Sequence, residues 1–188
     1  MSVLVQGHQE ILRETAGCRI HRSGRFLVAE LLQPHVVLST SVSNGGLSER
    51  VRFLLNHQSC EAAAHLERHE AIHGNGLDSY HRRACREAGL DPAHVPLMGT
   101  AANMNYASIV EHRSDGVVVT AIVTAGVSGN AECAADPTTW SEGPDGFRKT
   151  SPYDGTINTM LLLSRALAPN ALAGAAMVIT EAKGAALQ

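Results

Sequence analysis

The fold class this sequence predicts is a layered α/β domain, with a mixed sheet flanked by helices. Three observations carry that expectation. Strand-like apolar runs occur early, in the middle and late in the chain. Two helix-like segments lie between the first and second runs, and a third closes the chain. A length of 188 residues with 44% hydrophobic content is enough for one core that buries roughly two-thirds of the unfolded surface. A single domain over residues 1–188 is expected, with a flexible segment over 1–17; no internal repeat is present and the strand order is unreadable.

The first apolar runs are Arg25–Gln33 and Val36–Thr40, split by Pro34. Proline cannot donate to a central ladder, so two strands with a short connection are predicted. Ser43-Asn44-Gly45-Gly46 follows as a turn, because Asn and Gly adopt positive φ cheaply. Glu61–His73 is rich in Ala, Leu, Glu and Arg and reads as a helix, stopped by Gly74-Asn75-Gly76. A second helix is predicted over Leu77–Glu87, with Asp78 or Ser79 as cap and Gly89 and Pro92 closing it. Val117–Thr124 is β-branched and apolar on both faces, the pattern of a central strand. Ala134–Asp154, with three prolines and two glycines, reads as an irregular excursion of the kind that compact domains keep for function. Thr156–Leu163 reads as a strand. Pro169 suits the first turn of a closing helix, where Leu172, Ala176, Ile179, Lys183 and Ala186 recur at roughly helical spacing and Lys183 marks the less apolar edge.

Composition narrows the function classes. Fifteen Lys and Arg against eighteen Asp and Glu leave a formal net charge of -3 without long runs of either sign, so a nucleic-acid partner is not expected. The start Met1–His8 has no basic lead and no apolar stretch of signal length, and no stretch reaches a membrane-spanning helix; a soluble, cytoplasmic chain is the expectation. Cys18, Cys60, Cys85 and Cys133 form no C-x-x-C pair, which argues for reduced thiols over a disulfide framework.

Two sets of residues could carry chemistry. His69-Glu70-Ala71-Ile72-His73 matches H-E-x-x-H, which on a helix sets two imidazoles on one face to bind zinc and leaves Glu70 as base for the bound water. His65 extends that face, and His81 or Cys85 could join a metal site of another design. The plain alternative is a solvated helix flank, with His73 favoured in the last turn by the helix dipole. The second set is a series of polar turns at expected element ends. It comprises Asn44-Gly45-Gly46, Asn56-His57, Thr100 with Asn103, Thr124 with Gly126, Asn130, and Thr156 with Asn158. Each alone reads as an ordinary capping residue. Together they offer neutral donors and acceptors, and glycines that admit a ligand to the backbone. Serine-hydrolase, kinase and dinucleotide fingerprints are absent.

The ordered set Leu38-Ser39-Thr40, Asn44-Gly45-Gly46, Leu55-Asn56-His57, Thr100–Met104, Val123–Val127, Gly155–Asn158 and Ile179–Lys183 resembles the adenosylcobinamide amidohydrolase family of corrinoid salvage. The resemblance runs from about Phe26 onward, and the ending at Gln188 is abrupt for that family, which predicts a few further residues. It implies hydrolysis of the amide joining aminopropanol to the corrin ring's propionate, giving adenosylcobyric acid for coenzyme B12 synthesis. A corrinoid carries many neutral amides around a broad apolar ring, so a site of Asn, Thr and backbone groups suits it.

Amide hydrolysis needs an activated water, an oxyanion site and a proton for the leaving amine. Backbone amides at Gly45-Gly46 or Gly155-Thr156, aided by Asn44 or Asn158, are candidates for the oxyanion site. For the base, one reading takes Glu70 or His57, with or without zinc on His65, His69 and His73. The other takes Glu181 and Lys183 as a metal-free pair. Two rival functions stay open: a corrinoid-binding or delivery protein without catalysis, and a zinc metalloprotease. A homo-oligomer is compatible with all of them.

Overall fold

The computed structural model describes residues 9–15, 17–61, 72, 74–126, 140–144, 146–149 and 155–187. Among the described residues, ten strands and two helices with full bounds are arranged in layers. The main sheet has five strands in sequence order: β1 (Glu10–Glu14), β2 (Cys18–Ser23), β3 (Phe26–Ser39), β4 (Gly46–Gln58) and β5 (Leu97–Thr100). The first four form an antiparallel meander, and β5 lies parallel to β4. Parallel neighbours need a crossover, and the chain between them supplies α1 (Leu77–Glu87). A second, antiparallel sheet has β7 (Val117–Gly126) between β6 (Ser108–Ser114) and β10 (Thr156–Leu163); β8 (Trp140–Gly143) and β9 (Gly146–Lys149) form a separate hairpin. The chain closes with α2 (Pro169–Ala186). The layered α/β expectation holds.

Strand alternation divides the core in two. Successive residues of a strand face opposite sides, so Ile20, Leu27, Ala29 and Leu54 meet Ile122, Met160 and Met104 between the two sheets. Val28 and Leu55 turn the other way and pack, with Phe26, against α1. The inner stripe of α1 is Tyr80, His81, Ala84, Cys85 and Ala88, the i, i+4, i+8 pattern of a helix with one covered side.

Several boundaries match the sequence reading: α1 spans Leu77–Glu87, β10 spans Thr156–Leu163, and β7 is central in its sheet. Others are corrected. Pro34 does not separate two strands, because β3 runs unbroken through it. The register with β4 shifts between Glu30 and His35, and at such a bulge no ladder donor is missed. The helix read over Glu61–His73 lies, apart from Glu61 and Ile72, outside the described residues; within its stop signal Gly74 and Asn75 are helical and the break falls at Gly76, whose φ is 82°. Neither Asp78 nor Ser79 caps α1, since Gly76 holds the N-cap position without a side-chain bond. Glu10–Glu14, expected within a flexible segment, is the edge strand of the main sheet. Along α2, Leu172, Ile179 and Lys183 are half-buried, but Ala176 and Ala186 are exposed. No described helix is long and apolar enough to cross a membrane.

His21 gives the fold a pH dependence. It is 1% exposed on β2, and among the described residues neither ring nitrogen has a hydrogen-bond partner. Burial pushes its pKa below the usual 6.5; Glu30 opposes that, and the Arg19 cation adds to it. The folded chain therefore binds fewer protons here than the unfolded chain. The stability contributed by keeping His21 neutral is complete above the unfolded pKa and is lost as pH falls towards the folded one. Thermal unfolding of wild type should shift downward between pH 7 and pH 5, and His21→Leu should flatten that shift. An unchanged slope in the variant would remove His21 as its source.

Candidate active site

The last residues of β4 are buried on both faces, because the small sheet covers one and α1 the other. Asn56 faces the small sheet. Its Nδ2 donates to Thr124 Oγ1 of β7 at 2.8 Å, and its Oδ1 accepts from Asn158 Nδ2 of β10 at 2.9 Å. Asn158 Nδ2 also donates to the Gly99 carbonyl of β5 at 3.3 Å. Asn56, Thr124 and Asn158 are buried, and no charge enters the chain of bonds. Such a network stands only if every member is satisfied, since a stranded buried polar group costs about 1–3 kcal/mol.

His57, one residue on, faces α1. Its ring stacks on Phe26 with centroids 4.6 Å apart, and its Nδ1 lies 2.9 Å from the Tyr80 hydroxyl. Tyr80 in turn lies against Gly99: a Cβ there would fall 2.9 Å from the Tyr80 hydroxyl oxygen. Glycine at 99 is what lets the tyrosine reach the histidine. Gly99→Ala should displace the ring, cost about 1–3 kcal/mol as an overpacked site does and disturb His57. Thermal unfolding and the imidazole NMR signals of His57 would read both effects, and unaltered signals would contradict the packing argument.

Asn56, His57, Thr100, Thr124, Gly126, Thr156 and Asn158 thus gather at one end of the sandwich, where parallel β4 and β5 terminate. In α/β sheets the carboxyl ends of parallel strands are the usual ligand position. The loop after β5 closes this end. Thr100 Oγ1 accepts from the Ala102 amide at 2.9 Å, and its carbonyl accepts from the Ser59 amide at 2.8 Å. Asn103 Oδ1 accepts from the Asn105 amide at 2.8 Å, capping the 3-10 turn Met104–Tyr106. Gly126 lies beside Ala102 and pairs with Thr156.

The Asn44-Gly45-Gly46 turn is not part of this gathering. Asn44 Nδ2 donates to the Pro92 carbonyl at 2.7 Å and the Val95 carbonyl at 3.1 Å, and Ser41 bonds both backbone groups of Leu97. That puts the turn at the start of β5, roughly 10 Å from its end for a parallel strand of that length. Gly45 is glycine for the turn itself, since a Cβ there would sit 1.9 Å from the Ser41 carbonyl oxygen. Glu181 and Lys183 both lie on α2. Residues two apart on a helix do not face each other, and among the described residues neither side chain forms an ion pair.

His81 and Cys85 are committed to the core. His81 Nε2 lies 2.8 Å from the Val95 carbonyl, which can only accept, so this nitrogen carries a proton. Burial, with Asp91 adding, pushes the Cys85 thiol up to about 11, so it is not a thiolate ligand at neutral pH. Glu70, His65, His69, His73 and Asn130 lie outside the described residues. Among the described residues no three His, Cys, Asp or Glu side chains group to hold a metal ion. Sequence reasoning passed over Tyr80 and Gly99; the Tyr80, Ala84, Ala88 spacing was the signal that could have placed the tyrosine inward.

Known proteins give the site a context. No solved structure matches the chain. The adenosylcobinamide amidohydrolase of Methanosarcina mazei is 34% identical over 110 residues, which are 58% of this chain and 44% of that protein, so the match spans under half of the curated relative's length. The sequence profile described as adenosylcobinamide amidohydrolase matches residues 11–188, which takes in every strand of the main sheet but the first residue of β1, together with β6–β10 and both helices. With nearly its whole length matched, the chain belongs to the adenosylcobinamide amidohydrolase family.

Proposed function

We propose that this chain hydrolyses the amide joining aminopropanol to the propionate arm of adenosylcobinamide, releasing adenosylcobyric acid for reuse in coenzyme B12 synthesis. The observation that carries the reading is the buried Asn56–Asn158–Thr124 network at the end of β4 and β5, built of neutral amides and a hydroxyl. A neutral, amide-fringed substrate is recognised by groups of that kind, because fixed charges in a dry site would be costly to leave unpaired. Asn103, Gly126 and Thr156 form the accessible rim, while the network beneath sets their positions. His57 is assigned the activation of water, with Glu70 as the alternative base.

The direct test is incubation of the purified protein with adenosylcobinamide and chromatography for adenosylcobyric acid and 1-amino-2-propanol. Stoichiometric appearance of both supports hydrolysis. Corrinoid binding without either product would replace it with the delivery function. Turnover that survives a strong chelator would dismiss zinc on His65, His69 and His73.

A further inference from the structure

The direction of the buried network fixes what it can offer a ligand. A carboxamide's oxygen and nitrogen are distinguished only by their partners, and here one partner settles the matter. The Gly99 carbonyl can only accept, so the atom of Asn158 against it is Nδ2. That nitrogen has two hydrogens, and both are spent, one on Gly99 and one on Asn56 Oδ1. A flipped Asn158 would set three oxygens against one another. Asn56 Nδ2 is then committed to Thr124.

What remains on Asn158 is Oδ1. It makes no hydrogen bond among the described residues, and Asn158 keeps 8% of its surface exposed. It sits two residues inside the rim at Thr156, opposite Thr124 in the register of β10 and β7. An amide oxygen held this way is an acceptor with no means of becoming a donor. It favours an N–H or O–H and repels an ester oxygen or a carbonyl.

Resting on the hydrolytic reading above, we propose that Asn158 Oδ1 reads the N–H of the scissile amide and so selects an amide that carries an N–H over an ester or a tertiary amide. The linkage to aminopropanol has one such hydrogen; an ester at the same place has none, and N-methylation removes it. A site built to bond a substrate N–H rejects the analogue lacking it far more strongly than a site that only fits its shape.

The experiment compares kcat/KM for the amide and for its ester isostere, in wild type and in Asn158→Leu. In the variant the ratio of kcat/KM for the amide to that for the ester should fall by about 100-fold; the loss of the network bonds falls on both substrates, and the intrinsic lability of esters cancels in the comparison. Equal losses on both substrates would overturn the proposal. Where Asn158→Leu does not fold, wild type alone decides. N-methylation of the amide should weaken corrinoid binding at least about tenfold, a loss of one conventional hydrogen bond or more, and unchanged binding overturns the contact. If wild type hydrolyses neither linkage, the hydrolytic reading fails by itself, and the binding ratio still judges Asn158.

Discussion

His57→Gln is expected to lower kcat on adenosylcobinamide by about 10²–10⁴-fold, the range that a positioned general base contributes. That corresponds to roughly 3–5 kcal/mol of barrier. Phe26 and Tyr80 fix the ring, and Nδ1 lies 2.9 Å from the Tyr80 hydroxyl. Glutamine keeps a polar partner for Tyr80 but has no basic nitrogen. Near-ultraviolet circular dichroism should therefore change little while single-turnover rates collapse. A variant with the wild-type rate would hand the role to Glu70, and Glu70→Gln would then be the informative replacement.

The largest effect on stability is expected at Asn56. Truncation to Ala removes two buried bonds and leaves one N–H of Asn158 Nδ2 and the Thr124 Oγ1 without their partner in a buried place, while the Asn158 bond to Gly99 remains. At about 1–3 kcal/mol for each stranded group, the cost is on the order of 3 kcal/mol. For a chain of this size that lowers Tm by roughly 6–12 °C. Thr124→Val keeps the side-chain shape and removes one acceptor, so its loss should be clearly smaller. Scanning calorimetry of the two variants checks the ranking, and equal losses would mean that the network is not the unit described.

Much of the fold was legible because local rules suffice for it. Val117–Thr124 is β-branched throughout, and Pro169 and Gly89 punctuate their helices, so β7, α1 and α2 could be read from short windows. Pro34 misled because its meaning depends on the partner strand: a proline ends a strand in a regular ladder and is harmless at a bulge. Which faces each residue meets is likewise a property of pairing. Asn56, Thr124 and Asn158 were each visible as polar residues near strand ends, but their meeting depends on β4, β7 and β10 coming together from distant parts of the chain. Tyr80 was missed for a similar reason: nothing near it in sequence announces a histidine 23 residues earlier. Asn44 shows the converse. A turn signal said correctly that the chain bends there, yet it could not say that the side chain would be used up holding the Pro92 and Val95 carbonyls.

The order of strands in the main sheet also has a kinetic consequence. β1 to β4 pair with their immediate neighbours, so each step closes a short loop, whereas β5 must return across the whole segment from Gln58 to Leu97 before it meets β4. Contacts of large sequence separation form slowly, and Asn158 joins Asn56 from 102 residues away. The meander should accordingly gain amide protection first, at Val28 before Thr100 in pulse-labelled exchange; the reverse order would refute this sequence of events. A nascent or partly refolded chain would then hold a formed sheet with no reading head, and specificity would be the last property the molecule acquires.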